Sequence, residues 1–500
     1  MTRLIVIGSG FGGLAAAVRL QARGFDVTLL EKRDKPGGRA YQFREGGYTF
    51  DCGPSIITAP DLLDDLFDTS GARREDYVTL VPLEPFYRIH FSDGRYFDYS
   101  GRSETVAREL TKFEPEAVEA YHRFMAETGR IYERAFVDLA HQPFMTVPDF
   151  LKVLPELARL RADRSVYSFV SRFFRDPSLR MVFSFHPLFI GGNPFRASSI
   201  YSIVPYLERR GGVHFAMGGM YSLIEGLVRR FRELGGSLQC GTEVAEIEVR
   251  GGRAVAVRAR DGRRWEADGV ISNADVAWTY QELIAPRHRR KYTDRRIARL
   301  KHSMSCFLLY LGLDRQYDQL LHHTILMTDR YKGLIGDIFD RKILADDFSL
   351  YLHAPSKTDP SLAPPGGESL YILAPVPHLG ARIDWTREAR PYRDRILRFL
   401  EEEFGLDGLR ASIKVERWFT PLDFKTELNA HLGSAFSIEP VLLQSAYFRP
   451  HNRSEDVERL YFVGAGTHPG AGLPGTLLSA EIAARLIGRD LGTANRVLNA

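Results

Sequence analysis

The feature that most constrains the fold is a glycine-rich turn between an apolar run and helical material near the N-terminus. Residues 4–7 read LIVI, residues 8–13 read GSGFGG, and residues 14–20 read LAAAVRL. A second apolar run, residues 27–30, ends in Glu31, which follows the first glycine by about twenty residues. A strand, a glycine turn and a helix, with an acidic residue closing the next strand, are typical of dinucleotide binding. The sequence therefore predicts a Rossmann-like α/β fold.

The glycines of this turn have separate expected roles. Gly8 permits the tight turn, Gly10 lets the backbone approach a pyrophosphate, and Gly13 lets the helix pack on the strand. The start of the helix offers free N–H groups and the positive end of its dipole to phosphate. Glu31 is predicted to bind ribose hydroxyls, and its charge favours FAD or NAD over NADP. A glycine-rich turn without a ligand is the alternative interpretation.

A second glycine turn favours FAD over NAD as the predicted cofactor. Residues 35–40 read KPGGRA, and residues 50–55 read FDCGPS. A nicotinamide dehydrogenase does not need a Gly-Gly-Arg turn here, whereas the longer FAD molecule continues past its pyrophosphate. Arg39 offers a fixed fork of donors to phosphate, and Gly38 allows close backbone approach. We therefore predict FAD, although a plain loop also explains a Pro-Gly-Gly sequence.

The C-terminus carries what looks like half of another nucleotide site. A short apolar run at residues 460–463 leads into glycine-rich residues 464–475 and then an alanine- and leucine-rich helix. Too little chain remains for a complete site, so this segment is predicted to join the N-terminal sheet and line the flavin end of FAD. The dipole of the helix would favour an anionic reduced flavin. Both ends of the chain would then meet on one cofactor.

The remaining chain divides into pieces of the cofactor domain and two insertions. We predict a discontinuous FAD-binding domain from residues 1–60, 211–285 and 426–500. Residues 61–210 and 286–425 are predicted to form a substrate-binding and membrane-associating region. Both insertions carry strand-like runs, and the first also carries aromatic-rich helical segments, which indicates a sheet roofed by helices.

Taken in order, these pieces resemble the FAD-dependent phytoene desaturase family, the bacterial and fungal carotenoid desaturases. The resemblance covers nearly the whole chain, and its more specific carriers are SFHPLFIGGNPFRASSIYS, GSAFSIEPVLLQSAYFRPHNR and VGAGTHPGAGLPG. It implies a two-lobed flavoprotein of the amine oxidase or GDI type, with an inserted mixed-sheet substrate domain capped by helices. It also implies stepwise desaturation of 15-cis-phytoene to all-trans-lycopene, with electrons passing from flavin to oxygen or a quinone.

The motifs and the resemblance together predict the residues that contact FAD. They are Gly8, Gly10, Phe11, Gly12, Gly13, Glu31, Lys32, Gly38, Arg39, Gly53, Pro54, Val244, Asn273, Gly464, Gly466, Pro474 and Gly475. The sequence departs from many related flavoproteins in the segment 464–466, where no carboxylate follows the last strand. A hydrogen bond to the ribityl chain would then come from backbone or water, which predicts modest flavin affinity.

The catalytic residues are less clearly marked. Desaturation requires an acceptor for a proton, and a carboxyl in an apolar tunnel would have a raised pKa suited to that task. Asp149, with Lys152 three residues on, is the predicted catalytic pair. A helix-capping Asp beside a solvated Lys is the alternative. His186 and Asn193 are further candidates, and a histidine satisfied within the core is the alternative for His186.

Composition and charge constrain partners and location. The net charge of +4 is small for 500 residues, so nucleic acid is not expected as a partner. Glycines interrupt the apolar N-terminus, so neither a signal peptide nor a transmembrane helix is predicted. Three widely spaced cysteines indicate no disulfide framework, and no metal site is predicted.

Basic residues at 286–291 and 295–301 are predicted to lie on anionic lipid in peripheral attachment, or else to be a solvated face. A homo-oligomer is compatible with the sequence.

The sequence alone is also compatible with three other functions. A related desaturase could stop at neurosporene or act on a C30 substrate. A flavin amine oxidase would share the fold but need a polar, aromatic-lined pocket. A GDI-like prenyl-binding escort would share the architecture without redox chemistry and would not need the C-terminal half-site.

Overall fold

The structure is a computed structural model that describes residues 1–492. Its strands are β1 (Arg3–Ile7), β2 (Asp26–Leu30), β3 (Gln42–Glu45), β4 (Tyr48–Asp51), β5 (Leu80–Pro82), β6 (Tyr87–Phe91), β7 (Tyr96–Tyr99), β8 (His214–Ala216), β9 (Ser237–Gln239), β10 (Val244–Arg250), β11 (Arg253–Ala259), β12 (Arg264–Glu266), β13 (Gly269–Ser272), β14 (Ser305–Leu313), β15 (His323–Met327), β16 (Leu350–His353), β17 (Glu368–Val376), β18 (Ile413–Phe419) and β19 (Leu460–Phe462). Its α-helices are α1 (Phe11–Ala22), α2 (Pro60–Thr69), α3 (Ser103–Thr111), α4 (Ala117–Ile131), α5 (Val147–Arg159), α6 (Val166–Val170), α7 (Pro177–Ser184), α8 (Val204–Gly211), α9 (Tyr221–Glu233), α10 (Val276–Trp278), α11 (Asp294–Ile297), α12 (Tyr331–Gly336), α13 (Trp385–Arg398), α14 (Leu409–Ser412), α15 (Pro421–Leu428) and α16 (Leu473–Leu491).

A five-stranded parallel sheet joins the two ends of the chain. Its strand order is β19-β13-β1-β2-β9, so β1 lies at the centre and the C-terminal β19 lies at one edge. Val270 of β13 pairs with Ile5 of β1 on one side and with Leu460 of β19 on the other. The prediction that the C-terminal segment joins the N-terminal sheet is therefore confirmed.

Helices α1 and α16 pack together against this sheet. Both are rich in alanine, and Ala15, Ala16 and Ala17 of α1 share one buried cluster with Ala480 and Ala483 of α16. Small side chains allow two helix backbones to approach closely, so the helices that follow the two glycine turns lie side by side. This packing fixes the start of α1 and the start of α16 relative to each other.

A seven-stranded mixed sheet forms the second lobe. Its order is β18-β14-β17-β16-β15-β6-β7, and its pairs are antiparallel except for the parallel pair β15 and β6. Side chains of β14 alternate between faces, as strand geometry requires. Phe307 and Leu309 pack toward α13, whereas Leu308 and Tyr310 face the β3–β4 hairpin.

The strands of both sheets lie inside the predicted segments. Every strand of the parallel sheet comes from the predicted FAD-binding pieces, and every strand of the mixed sheet comes from the two insertions. The α/β fold with an inserted mixed sheet is thus as predicted. The domain boundaries themselves stay a prediction, and residues 493–500 of the last piece lie outside the described residues.

The basic residues between positions 286 and 301 do not share one continuous helix. They occupy a short turn at Pro286–His288, an irregular segment and the four-residue α11. Arg289 is buried and its Nη1 lies 2.6 Å from Asp294 Oδ1, while Lys291 pairs with Glu455. Acidic neighbours therefore neutralise part of this stretch. Along residues 1–492, no helix combines the length and the apolar character needed to cross a bilayer.

Candidate functional site

Residues from both sheets line one cavity of about 900 Å³. The parallel sheet contributes the turn after β1, the end of β2 and the loop after β19. The mixed sheet contributes side chains such as Leu308 and Tyr310 of β14 and Leu373 of β17. A large, mostly apolar cavity with a few polar groups at one side is the usual form of a cofactor or ligand site. The cavity is therefore the candidate active site.

The glycines of the first turn allow the two chain ends to touch. A Cβ on Gly12 would lie 2.9 Å from the backbone nitrogen of Gly464 and 2.6 Å from Asn273 Oδ1. A Cβ on Gly13 would lie 2.0 Å from the carbonyl oxygen of Gly8. Gly12 therefore makes room for the C-terminal loop, and Gly13 lets α1 begin directly over the turn.

Replacing Gly13 with alanine is expected to lower the apparent melting temperature by about 1–3 °C. The neighbouring atom is backbone, so no flexible side chain can move aside, and overpacking of this kind destabilises by about 1–3 kcal/mol. Thermal unfolding of Gly13→Ala against wild type measures the change. Gly488→Ala is the matched control, because its Cβ would meet only Arg23 Nη1 at 3.8 Å. An unchanged melting temperature in Gly13→Ala would contradict the packing role.

Glu31 is held in place by the turn that precedes it. Its Oε2 accepts hydrogen bonds from the Ser9 backbone N–H at 2.9 Å and from the Ser9 hydroxyl, and its Oε1 accepts one from the Arg33 N–H at 2.9 Å. The residue is buried at the cavity wall. A carboxylate has about four lone-pair positions, so Glu31 keeps acceptor capacity for ribose hydroxyls. Lys32 Nζ donates to the Thr426 carbonyl at 2.8 Å and so ties this strand end to α15.

Arg39 presents unsatisfied donors to the cavity. Among residues 1–492, its Nε and Nη2 are buried without a hydrogen-bond partner. Burial lowers the pKa of Arg39, while the nearby Asp275 carboxylate favours its charged form. A buried cation with free donors is suited to an anionic ligand. Together with the glycine turns, this guanidinium fits the phosphates of FAD.

The C-terminal loop is shaped by a buried arginine that was not predicted from the sequence. Arg449 is among the largest fully buried side chains, and burial lowers its pKa. It donates to the carbonyls of Ala465 at 2.7 Å, Thr467 at 3.0 Å, Ile438 at 3.2 Å and Gln444 at 3.3 Å. These bonds fix the loop after β19, so main-chain groups rather than a carboxylate shape this end of the cavity.

The structure brings most of the predicted cofactor residues to the cavity. Those that line it are Gly8, Gly10, Phe11, Gly12, Glu31, Lys32, Gly38, Arg39, Gly53, Pro54, Val244, Asn273, Gly464, Pro474 and Gly475. Gly13 and Gly466 do not line it. A Cβ on Gly466 would lie 2.7 Å from Val276 Cγ2, which indicates a packing role for this glycine. Contacts with the cofactor itself stay a prediction for all of these residues.

The predicted catalytic pair does not lie at the cavity wall. Asp149 forms a capping box at the start of α5, where Thr146 Oγ1 donates to its Oδ2 at 2.7 Å and its own N–H donates to Thr146 Oγ1 at 3.3 Å. The hydrogen bond from Thr146 lowers the pKa of Asp149, so the predicted raised pKa is wrong. Lys152 is exposed. Neither side chain lines the cavity, and the alternative of a capping Asp with a solvated Lys describes their placement.

A different buried carboxylate does line the cavity. Glu208 of α8 is fully buried, and its Oε2 accepts a hydrogen bond from the Tyr87 hydroxyl at 2.8 Å. His186 Nε2 lies 2.9 Å from the same hydroxyl and 3.5 Å from Glu208 Oε2. Glu208 Oε1 and His186 Nδ1 are buried and have no hydrogen-bond partner within residues 1–492. Glu208 and His186 therefore place free polar atoms in an apolar wall.

The Tyr87 hydroxyl belongs to this polar group, whereas Asn193 does not. Burial and the neighbouring Glu208 carboxylate raise the pKa of Tyr87 well above its ordinary value, so the phenol stays protonated and donates to Glu208. Asn193 does not line the cavity, and its Oδ1 accepts the Phe195 N–H at 2.8 Å in a turn. Glu208 was not predicted from the sequence, because a single Glu before Arg209 and Arg210 is typical of a solvated helix end.

Comparison with known families decides the class of this site. The model of the flavin-containing amine oxidoreductases matches residues 11–488, nearly the whole chain. The chain belongs to this family. Membership makes it an oxidoreductase and confirms the predicted flavin cofactor, FAD, for which the site supplies Arg39 and the glycine turns.

Within the flavin-containing amine oxidoreductases, the chain belongs with the phytoene desaturases, as the resemblance implied. It is 50% identical over 492 residues to the lycopene-forming phytoene desaturase of Pseudescherichia vulneris, covering 98% of this chain and 100% of that protein. It is 43% identical over 493 residues to the neurosporene-forming phytoene desaturase of Rhodobacter capsulatus, covering 97% and 94%.

Two solved structures confirm the fold class. A putrescine oxidase variant superposes with a TM-score of 0.64 at 16% identity, covering 98% of this chain and 99% of that chain. The Rab GDI of Plasmodium falciparum superposes with a TM-score of 0.56 at 9% identity, covering 97% and 98%. At these identities the likeness concerns the fold alone, which is the two-lobed amine oxidase and GDI type.

Proposed function

We propose that this flavoprotein desaturates phytoene in successive steps to lycopene, using FAD. The observation that carries the proposal is the apolar cavity shared by the glycine turns of the parallel sheet and the wall of the mixed sheet. A long hydrocarbon needs such a wall, and a hydride acceptor must lie beside it. The names of the relatives supply the substrate class, and 50% identity over the full length favours the lycopene-forming type.

The protein's own part in the reaction is to orient the polyene and to accept a proton. When bound, FAD supplies the hydride acceptor for a C–H bond next to a double bond. Glu208 Oε1 is buried and free of hydrogen bonds in the described residues, so it is placed to take the proton from the neighbouring carbon. Tyr87 holds Oε2 and thereby fixes the direction of the free oxygen. We propose Glu208 as the proton acceptor, with His186 beside it.

Access to a lipid-soluble substrate is proposed to run along α5. Phe150, Val153 and Leu157 of α5 line the cavity, whereas Leu151 and Leu154, next to this face around the helix, are 55% and 46% exposed. A helix that is apolar toward both the cavity and the solvent is unusual unless its outer side meets a partner or a membrane. We propose that this outer side enters the membrane interface, so that attachment is peripheral.

Replacing Leu151 and Leu154 with aspartate is expected to reduce binding to liposomes by at least about tenfold. The change removes exposed apolar area and adds charges that resist transfer into the interface. Vesicle co-sedimentation of the flavin-loaded protein measures the partition. Arg287→Ala with Arg290→Ala is the matched control in the basic stretch, and both of these arginines are exposed. If only the arginine variant loses binding, and high salt has the same effect, the basic stretch is the contact.

One incubation tests the proposed activity against its alternatives. The FAD-loaded protein is mixed with phytoene liposomes, with oxygen or a soluble quinone as acceptor, and the products are separated by chromatography. Lycopene is expected. Accumulation of neurosporene, or turnover of a C30 analogue alone, would assign a different desaturase. Oxidation of amines would indicate an amine oxidase, and a flavin that phytoene does not reduce under anaerobic conditions would leave only an escort role.

A further inference from the structure

A cluster of three buried histidines lies outside the site described so far. His323 of β15 and His353 of β16 are directly paired across the two strands, so their side chains leave the same face of the mixed sheet. His322 precedes β15, and its ring lies 4.9 Å from the ring of His353. One ring nitrogen from each histidine lies within 4.8 Å of the other two. None of the three side chains lines the cavity.

The nitrogens of this cluster are arranged as metal ligands usually are. The Nε2 atoms of His322 and His353 face each other at 3.1 Å, and His323 Nε2 is buried without a hydrogen-bond partner in the described residues. Hydroxyl groups fix the opposite nitrogens, since His322 Nδ1 lies 2.6 Å from Thr358 Oγ1 and His323 Nδ1 lies 2.7 Å from the Tyr351 hydroxyl. Hydrogen bonds of this kind orient the rings of metal-binding histidines.

A hydrogen bond between neutral rings explains only part of this arrangement. It accounts for the facing nitrogens of His322 and His353 but leaves His323 Nε2 buried and unsatisfied. One divalent ion accounts for all three nitrogens, because tetrahedral bonds of about 2.1 Å separate ligand nitrogens by about 3.4 Å. A ring rotation that moves a nitrogen by roughly an ångström would bring the three histidine nitrogens to that separation. Burial disfavours the imidazolium form, so the lone pairs are available to a cation.

We propose that His322, His323 and His353 form a binding site for one zinc-class divalent transition-metal ion. No metal site was predicted from the sequence, because these histidines meet only when β15 pairs with β16. The site lies behind the cavity wall and is joined to it by hydrogen bonds. Tyr351, which contacts His323, lies 2.5 Å from the hydroxyl oxygen of Ser55, and both line the cavity. A bound ion would therefore stiffen the sheet where it forms that wall.

Metal content and cobalt spectra of the flavin-loaded protein test this site directly. The protein is purified without a histidine tag, incubated with zinc and dialysed before elemental analysis, and a chelator-treated portion is titrated with cobalt(II). We expect about one zinc per chain and the visible absorption of tetrahedral cobalt. His323→Gln and His353→Gln are expected to weaken cobalt binding by at least about tenfold. His122→Gln, which alters an exposed histidine elsewhere, is expected to behave as wild type.

Two outcomes would overturn the proposal. If the wild-type protein retains no stoichiometric zinc and shows no cobalt absorption, it does not have the site. If His323→Gln binds cobalt as tightly as wild type, the metal lies elsewhere. Flavin absorbance reports whether each variant has folded. If the variants do not fold, X-ray absorption of zinc-loaded wild type decides, because the proposal requires three imidazole nitrogens at about 2.0–2.1 Å.

Discussion

Glu208→Gln is expected to lower the rate of phytoene desaturation by about two to four orders of magnitude. Glutamine keeps the size of the side chain and an oxygen that can accept the hydrogen bond from Tyr87, but it cannot take up a proton. The free Oε1 of Glu208 is the buried carboxylate oxygen that we assign to that role. Anaerobic reduction of the flavin by phytoene liposomes, followed in a stopped-flow instrument, measures the step.

Two further variants make this test specific. Glu119→Gln, a change at a residue whose side chain is 81% exposed on α4, is the matched control and is expected to turn over as wild type. Asp149→Asn tests the pair predicted from the sequence. Wild-type-like reduction in Glu208→Gln, combined with loss in Asp149→Asn, would return the proton acceptor to Asp149. Unchanged flavin absorbance shows in each case that the cofactor site is intact.

Arg39→Ala is expected to weaken FAD binding by about a hundredfold or more. Its Nε and Nη2 are free in the described residues, and each charge-assisted hydrogen bond to phosphate contributes about 1.5–3 kcal/mol. Arg39→Lys is expected to recover part of the loss, because an ammonium keeps the charge but not the planar fork. Equilibrium titration of the apoprotein with FAD, followed by flavin fluorescence, measures the affinity.

The control for this prediction is Arg44→Ala, five residues further along the chain and exposed. It removes the same charge from the protein without touching the cavity, so its FAD affinity is expected to match wild type. Equal losses in both variants would indicate a general effect of charge. An unchanged affinity in Arg39→Ala would contradict the assignment of this guanidinium to the phosphates.

The sequence predicts best those features whose determinants are close together in the chain. The turn at residues 8–13 and the acidic end of β2 are each encoded by a few neighbouring residues, and each appears in the structure as predicted. The capping alternative for Asp149 is also local, since Thr146 lies three residues before it.

The site residues that the sequence did not predict depend on distant partners. Glu208 acquires its significance from Tyr87, 121 residues away, and Arg449 from carbonyls on two other segments. The three histidines come together only across a strand pair. The ion pair of the basic stretch is equally remote in sequence, because Glu455, which pairs with Lys291, lies far along the chain; the contact of this stretch with lipid stays a prediction. A pattern of neighbouring residues in the sequence does not indicate contacts between such distant residues.

The position of β19 at the edge of the parallel sheet has a consequence for biosynthesis. At about 5–20 residues per second, a ribosome takes on the order of ten to forty seconds to translate the roughly 190 residues between β13 and β19. During that interval the nascent chain holds an exposed sheet edge at β13 and an unfinished cofactor cradle. A complete cradle for the flavin therefore forms only after β19 has been made, and timely supply of FAD to the newly made chain becomes a condition for its productive maturation.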